Sequence, residues 1–228
     1  MQQAIWNRVG PVAGILSFGL TFIGASIHGF PDVRPTDGQL AKWLASVDLN
    51  TFAVGMYIED LSGIVSIVFA AWLFGYLRQG RAGAALPALV MLCTSVAGVV
   101  ATFPINAFTL GMLEQARHGL DIRSAQTLVS ITQAWFEASG PLGGLAFLGA
   151  GVAIVRGRVM SRWVGWAAIF IGLAAFVPGA FLPIWIGVLG LLWDLAVAVY
   201  FTIRPVREER LDSALSQASV AAALPAAS

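Results

Sequence analysis

Long apolar segments dominate this chain of 228 residues. A membrane-spanning helix needs about 20 mainly apolar residues. Segments of that kind occupy residues 10–30, 51–77, 83–104, 125–155, 163–179 and 183–203. Only 11% of the residues are charged, whereas a soluble domain carries about 25%. The pattern therefore predicts an all-α fold, a polytopic integral membrane bundle of about six transmembrane helices.

The polar stretches between these segments are short. GQLAKWLASV (38–47) has the amphipathic pattern of a helix that lies at the membrane interface. PINAFTLGMLEQARHGLDIRS (104–124) is interpreted as a second cap of this kind between the third and fourth segments. After Arg210 the chain is rich in alanine and serine, a composition typical of disorder. We therefore expect one transmembrane domain over 1–210 and a disordered tail over 211–228.

The basic residues are distributed unequally between the two sets of connections. Lys and Arg are enriched in cytoplasmic loops, so their distribution predicts orientation. The nine on one side are Arg8, Arg78, Arg81, Arg156, Arg158, Arg162, Arg204, Arg207 and Arg210, and the four on the other are Arg34, Lys42, Arg117 and Arg123. Both termini are accordingly expected in the cytoplasm, and the expected location is the inner membrane of a bacterium.

Several functional classes find no support in the sequence. The net charge of +1 and the absence of a basic run argue against a nucleic-acid partner. The motifs HExxH, CxxC, GxGxxG and the P-loop are all missing, so we expect no cofactor. Glu114 and His118 stand four residues apart, with His28 expected on the same side of the membrane. Two histidines and one such pair are too few to predict a metal site.

Acidic residues within the apolar segments are the strongest functional signal. Charged groups at membrane depth are costly, usually face the bundle interior and often mark a functional site. Glu59 shares its helical face with small and polar residues, and Asp60 lies at the edge of that face. Glu137 shares its face with Gln133, Gly140 and Gly144, and Asp194 with two glycines. We therefore predict that these four acids, Glu59, Asp60, Glu137 and Asp194, converge on one polar cavity as candidate catalytic groups.

Aromatic and amide side chains near the acids are candidates for contacts with a ligand. The faces of aromatic rings stabilise cations, and several rings precede the acids directly in the sequence. The candidate substrate-binding residues are Tyr57, Gln133, Trp135, Phe136, Trp185 and Trp193. Core packing is the alternative explanation for the tryptophans.

Two classes of function remain open from these residues. A carboxylic acid between apolar walls tends to keep its proton, because its charged form loses solvation. It can then act as a Brønsted acid on a lipophilic small molecule that reaches it through the lipid bilayer. In the alternative, the acids form a proton or cation relay in a small proton-linked carrier, or they hold helices together in a structural partner subunit.

The positions of two acids carry a resemblance to a known family. Glu59 lies in the second segment, within YIEDLSG, and Asp194 in the last, within LLWDLA. In size, in coverage by spans and in these acids, the chain resembles the small membrane-embedded terpene cyclases of fungal meroterpenoid and bacterial indole-sesquiterpenoid pathways. The resemblance implies metal-independent cyclisation of a prenyl or epoxyprenyl chain by protonation, with Glu59 and Asp194 as the acid pair. Magnesium-dependent motifs (DDxxD and DxDD) are absent.

A second resemblance bears on the fold alone. RWVGWAAIFIGLAAF and the closing LLWDLAVAVYF are similar to segments of six-span bacterial membrane proteins with no assigned activity. This likeness implies the helical bundle without informing the chemistry.

Overall fold

The computed structural model describes residues 2–29, 34–81, 83–177 and 182–203. Within those ranges the protein is all-helical, without a strand. The helices are α1 (Gln2–Ile27), α2 (Asp37–Ser46), α3 (Leu49–Leu77), α4 (Ala85–Arg117), α5 (Ile122–Gly157), α6 (Arg162–Ala174) and α7 (Leu182–Ile203). The prediction of an all-α fold is confirmed. The predicted tail over 211–228 lies outside the described residues.

Four helices, α1, α3, α4 and α5, are long and apolar enough to cross a membrane. The helix α6 has 13 residues, and the apolar part of α7 is also short over the ranges that the structure describes. The chain thus has the helices of an integral membrane protein, because an apolar stretch of about 20 residues matches the hydrocarbon thickness of a bilayer.

The short amphipathic stretch forms α2, as predicted. Thr36 caps this helix: its hydroxyl accepts from the backbone N–H of Gln39, and the Gln39 side chain accepts from the backbone N–H of Thr36. This reciprocal capping box satisfies two N–H groups at the helix start. We call the end of the bundle next to α2, where α1 ends and α3 begins, the α2 end.

Aspartate residues cap the N-termini of α3 and α5. Asp48 precedes α3, and hydrogen bonds from Thr51, the backbone N–H first, hold the pKa of Asp48 below its usual range. Asp121 precedes α5, and hydrogen bonds from the Ser124 side chain and backbone lower the pKa of Asp121. A carboxylate at an N-cap is stabilised because it accepts otherwise unpaired N–H groups.

The interpretation of residues 104–124 as a separate interfacial cap is wrong for residues 104–117, which belong to α4. Instead of ending before Pro104, α4 continues to Arg117, and α5 begins at Ile122. The extension is held by tertiary packing: Met112 packs with Leu40 of α2, and Leu113 packs with Phe52 of α3. Burial of these side chains outweighs the backbone hydrogen bond that a proline removes inside a helix.

Glycines bring neighbouring helices into close contact. Gly144 faces the backbone carbonyl of Gly172, and Gly151 faces that of Gly165, so α5 and α6 meet at two glycine pairs. Gly24 of α1 similarly lies against the carbonyl of Gly55 in α3. Small residues permit this approach in membrane bundles, where dispersion contacts rather than water exclusion hold helices together.

Candidate functional site

A cavity of about 540 Å³ lies between α1, α3, α4, α5 and α7. Its volume falls within the range of about 300–1,000 Å³ that is usual for small-molecule sites. Its walls combine aromatic, aliphatic and small hydroxyl side chains with three carboxyl groups. Those acids are Glu59, Asp60 and Asp194.

Glu59 lies near the α2 end of the cavity, where it contacts a buried histidine. Its Oε2 atom is 3.1 Å from Nε2 of His28, the residue that follows α1. The His28 side chain is completely buried, while 22% of the Glu59 side chain remains exposed. Gly24 makes room for this contact, because a Cβ there would lie 2.6 Å from Cγ of Glu59. Glu59 therefore contacts the histidine on one side and lines the cavity on the other.

Asp60 is held by an amide from the neighbouring helix. Nδ2 of Asn106, on α4, donates to Oδ1 of Asp60 over 2.6 Å. Asn106 is buried, and both residues line the cavity. A buried amide that lost this acceptor would leave a polar group unpaired at a cost of about 1–3 kcal/mol. The pair thus fixes Asp60 at the contact between α3 and α4.

Three hydroxyl groups form the polar wall between α1 and α3. Ser62 donates to the backbone carbonyl of Ser17 over 2.8 Å, and its Oγ also lies 2.6 Å from Oγ1 of Thr21. Ser17 and Ser62 are buried. Because these hydroxyls bond to one another and to backbone carbonyls, they form a polar surface without a net charge.

Aromatic rings form the end of the cavity away from α2. Phe147 of α5 and Trp193 of α7 pack edge to face with centroids 5.6 Å apart. The indole N–H of Trp193 donates to the carbonyl of Val164. Gly190 admits the Phe147 ring, since a Cβ there would lie 2.7 Å from Cζ of that ring. Asp194 follows Trp193 directly and lines the same cavity.

Glu59 and Asp194 lie at different levels of the bundle. Gly24 of α1 contacts Glu59, whereas Gly14 contacts Ala198 of α7. Ten residues on α1 correspond to about 15 Å. Asp194 precedes Ala198 by four residues, which moves it about 6 Å toward the α2 end because α7 runs opposite to α1. The two acids are therefore separated by about 9 Å along the bundle axis.

Five of the ten predicted site residues line the cavity, and five do not. The structure brings five of them together in the cavity, namely Glu59, Asp60, Phe136, Trp193 and Asp194. Five others lie outside its lining, namely Tyr57, Gln133, Trp135, Glu137 and Trp185. The Tyr57 and Trp185 side chains are exposed on the bundle surface, and the Trp135 indole donates to the carbonyl of Ala101 over 2.7 Å.

The prediction that Glu137 faces the cavity is wrong, because the small residues on its helical face have another role. Gly144 packs against α6 and Gly140 approaches the carbonyl of Ala175. The neighbouring face of α5, with Phe136 and Phe147, turns to the cavity instead, and Glu137 is exposed. A face of small residues is equally suited to helix packing and to a cavity wall.

We expect Glu137→Gln to keep the thermal mid-point of the native protein and to change the binding of a lipophilic ligand in the cavity by no more than about twofold, the usual scatter for an exposed position. Ligand binding and thermal unfolding in detergent would be measured side by side with the native protein. A loss of binding without a loss of stability would place Glu137 in the site after all.

Sequence reasoning missed Asn106, the Ser17–Thr21–Ser62 cluster and the contact between His28 and Glu59. Asn106 was detectable in principle, as an amide within an otherwise apolar stretch. The hydroxyls were not, since serine and threonine in membrane helices commonly bond to their own backbone. His28 had been considered only as a metal ligand. Within the described residues no group of three metal-binding side chains is close enough to hold an ion.

No protein-family profile, curated protein or solved structure matches this chain. Its function is therefore argued from the geometry of the cavity.

Proposed function

We propose that the protein is a membrane-embedded terpene cyclase that starts a metal-independent cyclisation of a lipophilic prenyl or epoxyprenyl substrate by protonation. The observation that carries this proposal is the convergence of Glu59, Asp60 and Asp194, from two distant helices, on one cavity with aromatic walls. An acid in an apolar enclosure is suited to protonate a substrate, and rings such as Phe147 and Trp193 are suited to stabilise the cation that follows.

The reaction needs a proton donor at one position and a proton acceptor at another. The donor's O–H bond breaks as the proton bonds to an alkene carbon or an epoxide oxygen, which leaves a carboxylate and a carbocation. The π electrons of a second alkene then form the new ring bond. A carboxylate finally removes a proton next to the last cation, and the C–H electrons become a C=C bond. No external oxidant or metal enters this balance.

The separation of the acids supports a division of roles between them. Glu59 and Asp194 lie about 9 Å apart along the axis, so one extended substrate can reach both. We assign the donor to Glu59, beside His28, and the acceptor to Asp194, beside Trp193. Asp60 accepts a hydrogen bond from Asn106 and forms part of the polar end of the cavity. Phe136 contributes to the aromatic wall.

The proposal includes a membrane topology. The helices α6 and α7 cross the bilayer together with the four longer ones, which makes six spans with both termini in the cytoplasm of a bacterium and the bundle in its inner membrane. The basic residues at the end away from α2, including Arg78 and Arg156, support this orientation.

The test is incubation of the purified protein in nanodiscs with prenylated aromatic compounds and their epoxides, in H2O and in D2O. We expect a product of unchanged mass and altered retention time in H2O. In D2O the product of an alkene substrate is one mass unit heavier, because the donated deuteron stays on carbon, whereas an epoxide carries it on a hydroxyl group that exchanges during chromatography. An alkene-derived isomer without deuterium, or no isomer from any substrate in the panel, argues against protonation by the cavity acids.

We expect Asp194→Asn to lose cyclised product by about 10²-fold or more, since a neutral amide cannot accept the final proton. Quantified product and any diverted by-product, such as a water adduct of the last cation, would be measured by mass spectrometry. Unchanged formation of the same isomer would remove Asp194 from the reaction.

The contact between His28 and Glu59 also favours a second candidate, a small proton-linked carrier. An imidazole against a carboxyl is a common element of proton relays in transport proteins. Proteoliposomes with a pH-sensitive dye would then show proton flux that depends on Glu59 and on the transported solute. Proton flux without isomer formation would support the carrier. The absence of both flux and isomer would favour a structural partner subunit.

A further inference from the structure

Among the described residues at the α2 end of the bundle, His28 is the most deeply enclosed titratable side chain. Its ring is 5.1 Å from that of Phe52, and Phe52 in turn packs edge to face with Trp43 of α2. The indole of Trp43 donates to the carbonyl of Gly29, next to the histidine. The Phe52 ring therefore packs against His28, and Trp43 packs against Phe52 and Gly29.

The backbone around His28 leaves space for an imidazole ring. A Cβ on Gly55 would lie 2.6 Å from Cδ2 of His28, so the ring occupies the volume that a larger residue would fill. The backbone N–H of His28 donates to the carbonyl of Gly24, which holds the residue in register at the end of α1. Two glycines and one backbone hydrogen bond thus direct Nε2 toward Glu59.

We infer that His28 is a positioning residue for Glu59 and holds its carboxyl group at the cavity wall. This inference rests on the proposed function, in which Glu59 is the donor. One carboxyl oxygen, Oε2, lies 3.1 Å from Nε2 of the imidazole. We assign the other oxygen, Oε1, to the substrate.

The contact singles out one acid. Among the described residues Glu59 is the charged group that contacts His28, whereas Asp60 beside it accepts a hydrogen bond from Asn106. The imidazole is therefore placed to hold the carboxyl group of Glu59 and not that of its neighbour.

Two substitutions separate positioning from packing. In His28→Gln the amide nitrogen takes the place of Nε2 and keeps the contact. In His28→Leu the contact is lost, while an apolar side chain still fills the space. We expect His28→Leu to lower kcat about 10²-fold with little change in KM, the size of effect that loss of orientation produces. We expect His28→Gln to retain an intermediate kcat.

Rescue by glutamine distinguishes this role from simple packing, because glutamine restores the contact without restoring the aromatic ring. The exposed histidine supplies the control, and His118→Gln should keep the native kcat. A native kcat in His28→Leu, or a kcat in His28→Gln as low as that of His28→Leu, would overturn the inference.

A measurement without turnover keeps the inference separate from the proposed function. The chain has two histidines, so ¹⁵N-histidine labelling of the protein in nanodiscs gives two sets of imidazole signals, assigned through His118→Gln. Glu59→Gln should displace the His28 signals and leave those of His118 in place. If it does so while no substrate is cyclised, the positioning contact is supported and the cyclase proposal fails. If the His28 signals do not move, the inference is wrong whatever the activity.

Discussion

Glu59→Gln is expected to lower the kcat of the proposed cyclisation by about 10²- to 10⁴-fold, the usual contribution of a positioned general acid. The amide has nearly the shape of the acid, but its nitrogen holds its hydrogens too tightly to protonate an alkene or an epoxide. The substrate should still bind, because the rings of Phe136, Phe147 and Trp193 in the cavity wall are unchanged. KM should therefore change little, and the loss should appear in kcat.

The stability of the Glu59→Gln protein should stay near that of the native chain. A glutamine fits beside Gly24 as the glutamate does, and its side-chain amide can still contact Nε2 of His28. The mid-point of thermal aggregation in detergent, followed by size-exclusion chromatography, checks this. Glu114→Gln, an exposed acid on α4 outside the cavity lining, is the matched control. A Glu59→Gln enzyme with native kcat would contradict the assignment of the donor.

Gly151→Val should cause the largest loss of stability among single substitutions in the seam between α5 and α6. A Cβ at Gly151 would lie 2.5 Å from the carbonyl oxygen of Gly165 and 2.6 Å from Cγ1 of Ile169. A backbone carbonyl cannot move aside as a flexible side chain can, so the helices must separate. Overpacking of this kind costs about 1–3 kcal/mol, and the second glycine pair, Gly144 with Gly172, would be strained with it.

The control for this prediction is Gly111→Val on α4. Apart from the backbone of α4 itself, no atom of the described structure lies within 4 Å of a Cβ at Gly111, so the same chemical change meets open space there. The thermal mid-point of Gly151→Val should fall well below that of Gly111→Val in the same detergent. Equal mid-points for the two variants would show that the α5–α6 seam is not closely packed.

Part of the site was predictable from the sequence. The free-energy cost of placing a charged side chain at membrane depth does not depend on the details of the fold. Glu59, Asp60 and Asp194 each interrupt a long apolar segment, and all three line the cavity. Glu137 interrupts such a segment too, but its face is directed by the glycine pairs between α5 and α6. Periodicity identifies which residues share a face, whereas the neighbouring helix decides which face is turned inward.

The sequence by itself determined the helical class, the membrane character and the short helix α2, because apolar length and capping residues act locally along the chain. Only the tertiary structure decided that α4 runs on past Pro104, since the contacts of Met112 and Leu113 with other helices hold it. The pairings of Glu59 with His28 and of Asp60 with Asn106 were decided in the same way. Each joins residues more than 30 positions apart, and such partners are chosen by how helices pack rather than by any local pattern.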